Sequence, residues 1–257
     1  MKKFYFGTNF KMHKTAAETV QYLTALNSIV QRYNDYEFFV IPSYTALWHA
    51  KHTLSEMNSP ILLGAQNMHY EPEGAFTGEI SPIQLQEIGV DLIEIGHSER
   101  RQYYNETDQS VNRKVKTALH YGYRALICVG EYLAEKQYGV SAYKLKEQVK
   151  IALDGVESEQ NIMIAYEPVW SIGSGGIEAP HEYVGLMHEQ IRDELIHIFG
   201  HHGKDVPIIF GGSVNLQNAT EYLKCHNVNG LFIGRSAWQA ESFGEIVNSV
   251  NTSLQKL

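Results

Sequence analysis

The stretch Ile162-Met163-Ile164-Ala165-Tyr166-Glu167-Pro168 (IMIAYEP) joins an unbroken apolar run to a carboxylate and a proline. An apolar run without alternation is typical of a β-strand that is buried on both faces, as in a parallel sheet. Seven further runs, rich in β-branched and aromatic residues, lie at residues 4–6, 38–41, 61–65, 92–95, 125–129, 207–210 and 231–233. The sequence therefore predicts eight buried strands.

Segments with helical periodicity lie between these runs, for example at residues 16–32, 141–153 and 182–199. Eight strand–helix units in 257 residues match the size of a closed (β/α)8 barrel. We therefore predict an α/β protein with a single barrel domain over residues 1–257. A doubly wound open sheet is the alternative, but it usually carries a GxGxxG turn after the first strand. Residues 6–11 (FGTNFK) contain no such turn.

The composition gives a formal net charge of −8, and the acidic and basic residues are interspersed. Nucleic-acid-binding proteins usually show a basic stripe, and none is visible, so no nucleic-acid partner is expected. Cys128 lies in an apolar run, which suits a reduced thiol better than a disulfide. The apolar stretch after Met1 is too short for a signal peptide or a membrane span, so a cytoplasmic location without a membrane partner is expected.

Polar residues follow many of the predicted strands at the point where each strand ends. In a barrel such residues face the C-terminal mouth, where active sites are built. They are Asn9, Lys11, Gln66, His97, Glu99, Glu131, Glu167, Gly211-Gly212-Ser213 and Gly234-Arg235. Because polar groups at the end of a buried run need partners, their convergence predicts an active site.

Glu167 is the candidate general base. Pro168 biases its backbone towards an extended conformation, so that the carboxylate projects from the end of the strand. Burial in a mouth that closes over it would raise its pKa into a useful range for proton transfer. The alternative is that Glu167 serves as a helix cap or an ion-pair partner.

His97 is the candidate electrophile, because it follows Gly96 at a position that suits the start of a helix. The positive end of a helix favours the neutral imidazole, which donates a hydrogen bond to a carbonyl. Most of the twelve histidines are expected at the surface or in packing, and we interpret His13, His69 and His201-His202 in this way. No HExxH or similar spacing indicates a metal, so neither a metal nor another cofactor is expected.

Lys11 and three glycine-containing turns are the candidate binding groups for an anion. A cation beside Asn9 would offset the charge of a phosphate and of a developing oxyanion, although a lysine there often points to solvent. Residues 168–176 (PVWSIGSGG) combine a rigid start with a glycine-rich end, as in a lid that closes over an anion. The turns at residues 210–213 and 233–234 follow strands seven and eight, where barrel phosphate sites commonly lie.

Together these residues resemble the triosephosphate isomerase family. The matching segments are GTNFKM (7–12), GAQN (64–67), GAFTGE (74–79), GHSERR (96–101), CVGE (128–131), AYEPVW (165–170) and GGSV (211–214). GHSERR and AYEPVW are highly specific. The resemblance implies a TIM barrel that interconverts glyceraldehyde 3-phosphate and dihydroxyacetone phosphate through an enediolate, without a cofactor.

The resemblance also implies a role for each site residue. Glu167 moves the proton between the carbons, neutral His97 polarises the carbonyl, and Lys11 stabilises the negative charge. Asn9 places the substrate, and Glu99 supports Lys11. The phosphate is held near Gly173, Ser213 and Gly234, with Arg235 beside it. The loop around Thr77 is implied to enter a second subunit and to support Asn9 and Lys11, which predicts a homodimer.

The chain departs from the family pattern at several positions. Arg235 replaces a glycine, Phe210 replaces a tyrosine that latches the lid, Phe10 replaces a tryptophan, and His13 replaces an asparagine. The segment GRSAW (234–238), together with Met68-His69, resembles a branch that isomerises L-erythrulose 1-phosphate to D-erythrulose 4-phosphate. The triose and the tetrulose substrates both stay open at this stage. A barrel that only senses sugar phosphates and a ring-closing synthase barrel are weaker alternatives, because the base, the electrophile and the lid sequence are all present.

Overall fold

The computed structural model describes residues 4–173 and 175–254. Its strands form a closed barrel in which each strand pairs in parallel with the next, and the eighth pairs with the first. The strands are β1 (Phe4–Asn9), β2 (Tyr36–Ile41), β3 (Leu62–Ala65), β4 (Leu92–Ile95), β5 (Arg124–Val129), β6 (Ile162–Tyr166), β7 (Ile208–Phe210) and β8 (Gly230–Phe232). The predicted (β/α)8 barrel is confirmed.

The largest difference from the predicted strands is at β1, which continues past its apolar run to Asn9. Asn9 is still in register with Ile41 of β2, so the polar residues Thr8 and Asn9 belong to the sheet. A run defined by apolar side chains ends too early here, because backbone pairing does not require an apolar side chain. The extension places the Asn9 side chain at the mouth on a rigid strand rather than on a loop.

Helices connect the strands and cover the outside of the barrel. They are α1 (Ala16–Val30), α2 (Leu47–Glu56), α3 (Pro82–Ile88), α4 (Ser98–Tyr103), α5 (Asp108–His120), α6 (Leu133–Gln137), α7 (Ser141–Ala152), α8 (His181–Phe199), α9 (Ala219–Lys224) and α10 (Ala240–Leu254). Helix α1 begins with a capping box, in which Thr15 and Glu18 bond reciprocally to each other's backbone N–H groups. In the part of the chain that the structure describes, no helix has the length and apolar character needed to cross a membrane.

Within residues 4–173 and 175–254, the buried hydrophobic side chains form two clusters, one on each face of the sheet. Alternate strand residues face inward, since successive side chains of a strand point to opposite faces. The inner cluster consists of Phe39, Ile41, Leu92, Leu126, Cys128, Met163, Ala165, Ile209 and Phe232. The outer and larger cluster joins the sheet to the helices. A filled interior supports the strand ends from below, so the mouth is a rigid platform.

Candidate active site

A pocket opens at the C-terminal mouth of the barrel, where β1, β4, β6, β7 and β8 end. All nine residues that the sequence predicts for catalysis or substrate binding line this pocket. They are Asn9, Lys11, His97, Glu99, Glu167, Gly173, Ser213, Gly234 and Arg235. The two other polar residues expected at the mouth, Gln66 and Glu131, lie outside the lining and contact residues that belong to it or to the lid.

Glu167 lies directly after β6 and is almost completely buried, with 5% of its surface exposed. Its backbone N–H donates to the Val129 carbonyl at 2.8 Å, so the strand ladder extends to the residue that carries the carboxylate. Glu167 Oε2 has no hydrogen-bond partner among the described residues and lies 3.6 Å from His97 Nε2. Burial raises the pKa of this carboxyl to about 7, against the opposing effect of the Lys11 charge. The group is therefore poised to accept a proton near neutral pH.

The Glu167 carboxylate can occupy its position because Gly211 has no side chain. A Cβ atom at residue 211 would lie 2.7 Å from Cγ and 2.9 Å from Oε1 of Glu167. Both separations are shorter than a nonbonded carbon contact allows, so a side chain at 211 would displace the carboxylate. The glycine turn after β7 thus has a steric role towards Glu167 in addition to its predicted role towards a phosphate.

His97 is the N-cap residue of α4, as its position after β4 predicts. Its Nδ1 accepts a hydrogen bond from the Glu99 backbone N–H at 3.1 Å, which leaves the proton of the neutral ring on Nε2. Burial, followed by the charges of Lys11 and Arg100, lowers the pKa of His97 to about 3. The imidazole is therefore neutral, and the main physical cause is burial rather than the helix end that the sequence suggested.

Lys11 adopts a left-handed backbone conformation, with φ of 52°, immediately beyond β1. This turn lets the Lys11 backbone N–H donate to Asn9 Oδ1 at 2.6 Å. The Lys11 Nζ atom lies 2.7 Å from Glu99 Oε1. Burial lowers the pKa of Lys11, but the hydrogen bond to Glu99 and the charge of Glu167 outweigh it and the pKa is raised. The ammonium group therefore keeps its charge inside the mouth.

The lid begins with a 3-10 turn, Val169–Ser171, and continues through Gly173, whose φ of 84° favours glycine. The Ser213 backbone N–H donates to Ser171 Oγ at 3.3 Å, and Ser213 Oγ donates to the Ser171 carbonyl. Arg235 Nη2 donates to the Gly173 carbonyl at 3.1 Å. These bonds hold the lid against the turns that follow β7 and β8. Ser174, which belongs to the predicted lid, lies outside the described residues.

The start of the lid is fixed to the barrel by Glu131, which follows β5. Its Oε1 accepts hydrogen bonds from Trp170 Nε1 at 2.8 Å, from the Tyr183 hydroxyl at 2.8 Å and from the Tyr166 hydroxyl at 3.2 Å. Burial raises the pKa of the Glu131 carboxyl, while these donors oppose that effect. Glu131 therefore anchors the lid instead of facing the substrate, which differs from its expected place at the mouth.

Two residues near the site, His13 and Glu94, were not predicted for it, and Trp238 was noted only as part of the GRSAW segment. His13, interpreted from the sequence as a surface or packing residue, lines the pocket with its ring centroid 4.4 Å from the Trp238 ring. Trp238 also lines the pocket, and its Nε1 donates to the Asn9 carbonyl at 2.9 Å. Glu94, inside a run taken as apolar, is fully buried and accepts a hydrogen bond from Asn9 Nδ2 at 2.6 Å. An acidic residue within a strand that is otherwise apolar is the signal that could have identified Glu94.

Within residues 4–173 and 175–254, no group of three or more His, Cys, Asp or Glu side chains is arranged to hold a metal ion. The charged groups at the mouth are instead arranged around the pocket itself, with Lys11 paired to Glu99 and Glu167 beside His97.

Comparisons with known proteins agree with this geometry. The family model described as triosephosphate isomerase matches residues 4–250. A relative from Rhizobium etli, named L-erythrulose-1-phosphate isomerase, is 42% identical over 97% of this chain and 93% of its own length. A relative from Carboxydothermus hydrogenoformans, named triosephosphate isomerase, is 41% identical over 96% of this chain and 98% of its own length.

Among solved structures, the crystal structure of triosephosphate isomerase from Bartonella henselae superposes with a TM-score of 0.88. It is 34% identical in sequence, and the match covers 96% of this chain and 99% of that chain. The family match includes every strand end described above, and each relative aligns with nearly the whole chain. The chain therefore belongs to the triosephosphate isomerase family and is a sugar-phosphate isomerase.

Proposed function

We propose that this enzyme isomerises L-erythrulose 1-phosphate to D-erythrulose 4-phosphate through an enediolate, with Glu167 as the base. The observation that carries the proton chemistry is the meeting of Glu167, His97 and Lys11 in one pocket. The four-carbon substrate is supported by the name of the Rhizobium relative and by the GRSAW segment at residues 234–238. The interconversion of glyceraldehyde 3-phosphate and dihydroxyacetone phosphate is the second candidate, supported by the Carboxydothermus relative at almost equal identity.

The reaction moves one carbonyl to the neighbouring carbon. In L-erythrulose 1-phosphate the carbonyl is at C2, and Glu167 takes the proton from C3. The electron pair of that C–H bond forms the C2–C3 double bond of the enediolate. The oxygen on C2 gains a proton, the oxygen on C3 loses one, and Glu167 returns its proton to C2. The phosphate-bearing carbon takes no part, so the same residues serve either substrate.

His97 and Lys11 stabilise the charge that develops on the oxygens. A neutral imidazole with its proton on Nε2 donates to the carbonyl oxygen and takes part in proton transfer between the two oxygens. The Lys11 ammonium group offsets the negative charge, and Glu99 holds that ammonium group in place at 2.7 Å. Asn9 orients the substrate from the end of β1. The general roles of a buried glutamate and a neutral histidine are those already known for triosephosphate isomerase.

The phosphate is bound at the opposite end of the pocket, by the turns around Gly173, Ser213 and Gly234. Backbone N–H groups in glycine-containing turns form concave sites for anions. Arg235 brings a guanidinium group to the same turn, and its bond to the Gly173 carbonyl places it at the edge of the lid. Closure of the lid over the enediolate excludes water and suppresses the loss of phosphate.

The two candidate substrates differ by one hydroxymethyl group. L-erythrulose 1-phosphate is dihydroxyacetone phosphate with this group added to the carbon that loses the proton, so the pocket must admit one more polar carbon. The departures from the family pattern at His13 and Arg235, together with Trp238, all lie in the pocket lining. A changed lining around unchanged catalytic residues supports a changed substrate with the same chemistry.

Paired assays of the purified protein, one with each substrate and without added metal or nucleotide, test the proposal. We expect kcat/KM for L-erythrulose 1-phosphate to exceed that for the triose phosphates by at least tenfold. Triose turnover near the diffusional limit of about 10⁸–10⁹ M⁻¹s⁻¹, with no tetrulose turnover, would contradict the four-carbon substrate and support the second candidate.

We further propose that the enzyme is a homodimer through the loop around Thr77. This loop is exposed, as are Phe76 at 41% and Met12 at 95% of their surfaces. Large exposed apolar side chains, one of which is next to Lys11 in sequence, favour an interface that buries them. Sedimentation is expected to give twice the chain mass of 29.2 kDa, and Thr77→Asp is expected to give monomers with reduced kcat. Tyr143→Asp, at an exposed residue on α7, is the control that should stay dimeric. A monomeric wild type would contradict the proposal.

A further inference from the structure

Glu94 lies in the middle of β4 and is completely buried, with no exposed surface. It is two residues from Leu92 along the strand, so its side chain shares the inner face of the barrel. Its Oε2 accepts a hydrogen bond from Asn9 Nδ2 at 2.6 Å, and its Oε1 lies 3.8 Å from Cys128 Sγ. Glu94 does not line the pocket, so it acts on the site only through its neighbours.

The orientation of the Asn9 amide is fixed by its contacts on both sides. Asn9 Oδ1 accepts from the Lys11 backbone N–H at 2.6 Å and from Gln66 Nε2 at 3.2 Å. Because Lys11 and Gln66 both donate, the atom of Asn9 that faces them must be the amide oxygen. The amide nitrogen Nδ2 is therefore directed towards Glu94. One Nδ2 hydrogen binds Glu94, and the second is left for the pocket that Asn9 lines. The acceptor on Glu94 thus completes the set of bonds that aims this second hydrogen.

The charge state of Glu94 follows from its surroundings. Burial raises the pKa of its carboxyl well above the usual value, and the charge of Glu167 adds to the effect, while the Asn9 hydrogen bond and Lys11 oppose it. A completely buried carboxyl beside a second carboxyl takes up a proton rather than bear an isolated charge. A protonated carboxyl keeps a carbonyl oxygen that accepts from Asn9, and it adds no negative charge beside the base.

We propose that Glu94 is a positioning residue of this active site, which holds the Asn9 amide in the orientation that presents one Nδ2 hydrogen to the substrate. This inference rests on the proposed enediolate chemistry but applies to either sugar phosphate. It assigns a function to the one acidic residue within β4, whose neighbours in that strand are leucine and isoleucine. Misorientation of a substrate-binding group by about 1 Å costs up to about 10²-fold in rate.

The test compares Glu94→Gln with Glu94→Met on whichever substrate the wild type converts. Glutamine keeps both a donor and an acceptor, like the protonated carboxyl, and we expect its kcat to stay within about threefold of wild type. Methionine has a similar length but no such acceptor for Asn9, so we expect kcat to fall by about 10–100-fold while KM changes little.

Leu126→Met is the matched control, because it alters the same interior cluster without touching Asn9. If the methionine variant does not fold, Glu94→Asp replaces it in the test. Aspartate is shorter by one methylene, so its carboxyl lies farther from Asn9 Nδ2.

A double-mutant cycle with Asn9→Ala separates positioning from a merely structural role. If Glu94 acts through Asn9, Glu94→Met has no further effect on kcat in the Asn9→Ala background. Full activity of Glu94→Met, or an equal loss in both backgrounds, would overturn the proposal. The Asn9 side-chain amide signals in ¹⁵N NMR give a readout without substrate: they should shift in Glu94→Met and stay in place in Glu94→Gln. Unchanged signals in both variants would also overturn it. Failure of the wild type on every sugar phosphate contradicts only the proposed function.

Discussion

The two ends of the pocket, named here for the roles proposed above, are built in different ways. The proton-transfer half, which consists of Asn9, Lys11, His97, Glu99 and Glu167, lies at the ends of β1, β4 and β6. The anion half, which consists of Gly173, Ser213, Gly234 and Arg235, lies on the lid and on the turns after β7 and β8. His97 and Glu167 are at most 5% exposed, whereas Arg235 is exposed. Arg235 contacts the lid through a hydrogen bond to the Gly173 carbonyl.

This difference separates the reaction from the choice of substrate. Burial sets the protonation states in the proton-transfer half, where the pKa of Glu167 is raised to about 7 and that of His97 is lowered to about 3. In the anion half, Arg235 lies exposed at the rim on the turn after β8, and it bonds to the Gly173 carbonyl rather than to the Glu167 carboxylate. A family can therefore change the sugar while it keeps the proton chemistry.

The sharpest test of the proton-transfer half is Glu167→Gln. The amide has nearly the same shape but cannot take the proton, so we expect kcat to fall by about 10⁴-fold on either substrate. Binding of inorganic phosphate, measured by calorimetry, should stay within a few-fold, because the anion half is untouched. Glu147→Gln on α7, at a residue paired with Lys144, is the control that should leave kcat unchanged. Retention of most activity by Glu167→Gln would remove Glu167 as the base.

A second test concerns the pH dependence of the buried base. Because the pKa of Glu167 is raised to about 7, its ionised form prevails only above that pH. We expect kcat/KM to fall about tenfold per unit as the pH drops below about 7, and to level off above it. Since the sugar phosphate itself titrates near pH 6, the carboxyl is followed directly by ¹³C NMR in the free enzyme. A carboxyl that titrates near its ordinary value of about 4.3, and a rate profile without this limb, would show that burial does not control the base.

The smallest expected effect belongs to the anion half. Arg235→Gly removes the bond to the Gly173 carbonyl, and we expect kcat/KM to shift towards the triose phosphates by about two- to tenfold relative to the tetrulose phosphate. Arg235→Gln is the matched variant, because it removes the charge and keeps an N–H donor. If both variants lose preference for the tetrulose phosphate, the effect belongs to the charge of Arg235. If only Arg235→Gly loses it, the effect belongs to the hydrogen bond. An unchanged substrate ratio in both would show that Arg235 has no part in substrate choice.

The fold was largely predictable, because strands buried on both faces have a plain sequence pattern. All eight strands were identified, and the helix predicted at residues 182–199 begins one residue earlier, at His181. The error at β1 arose where polar residues continue the ladder to Asn9. Backbone pairing of that kind depends on the neighbouring strand, and a single stretch of sequence does not contain it.

The candidate site was predicted less evenly. Residues within specific motifs, such as His97 in GHSERR and Glu167 in AYEPVW, were identified, and the structure places them together. His13 was not predicted for the site because most of the twelve histidines were expected at the surface or in packing, and its contact with Trp238 joins residues 225 positions apart in sequence. Glu94 was overlooked because a four-residue strand was classified by its apolar majority. The His13 contact depends on the pairing of β1 with β8, which sequence periodicity does not describe. The acidic residue Glu94, in contrast, was visible in the sequence itself.

Gly211 shows how an absent side chain limits what this pocket can become. The Glu167 carboxylate occupies the space that a Cβ atom at 211 would need. In a library that randomises the rim of the barrel, residue 211 should therefore accept only glycine among active clones, whereas residue 235 should accept many amino acids. New substrates for this scaffold will be reached by varying the turn after β8, with the turn after β7 left as it is.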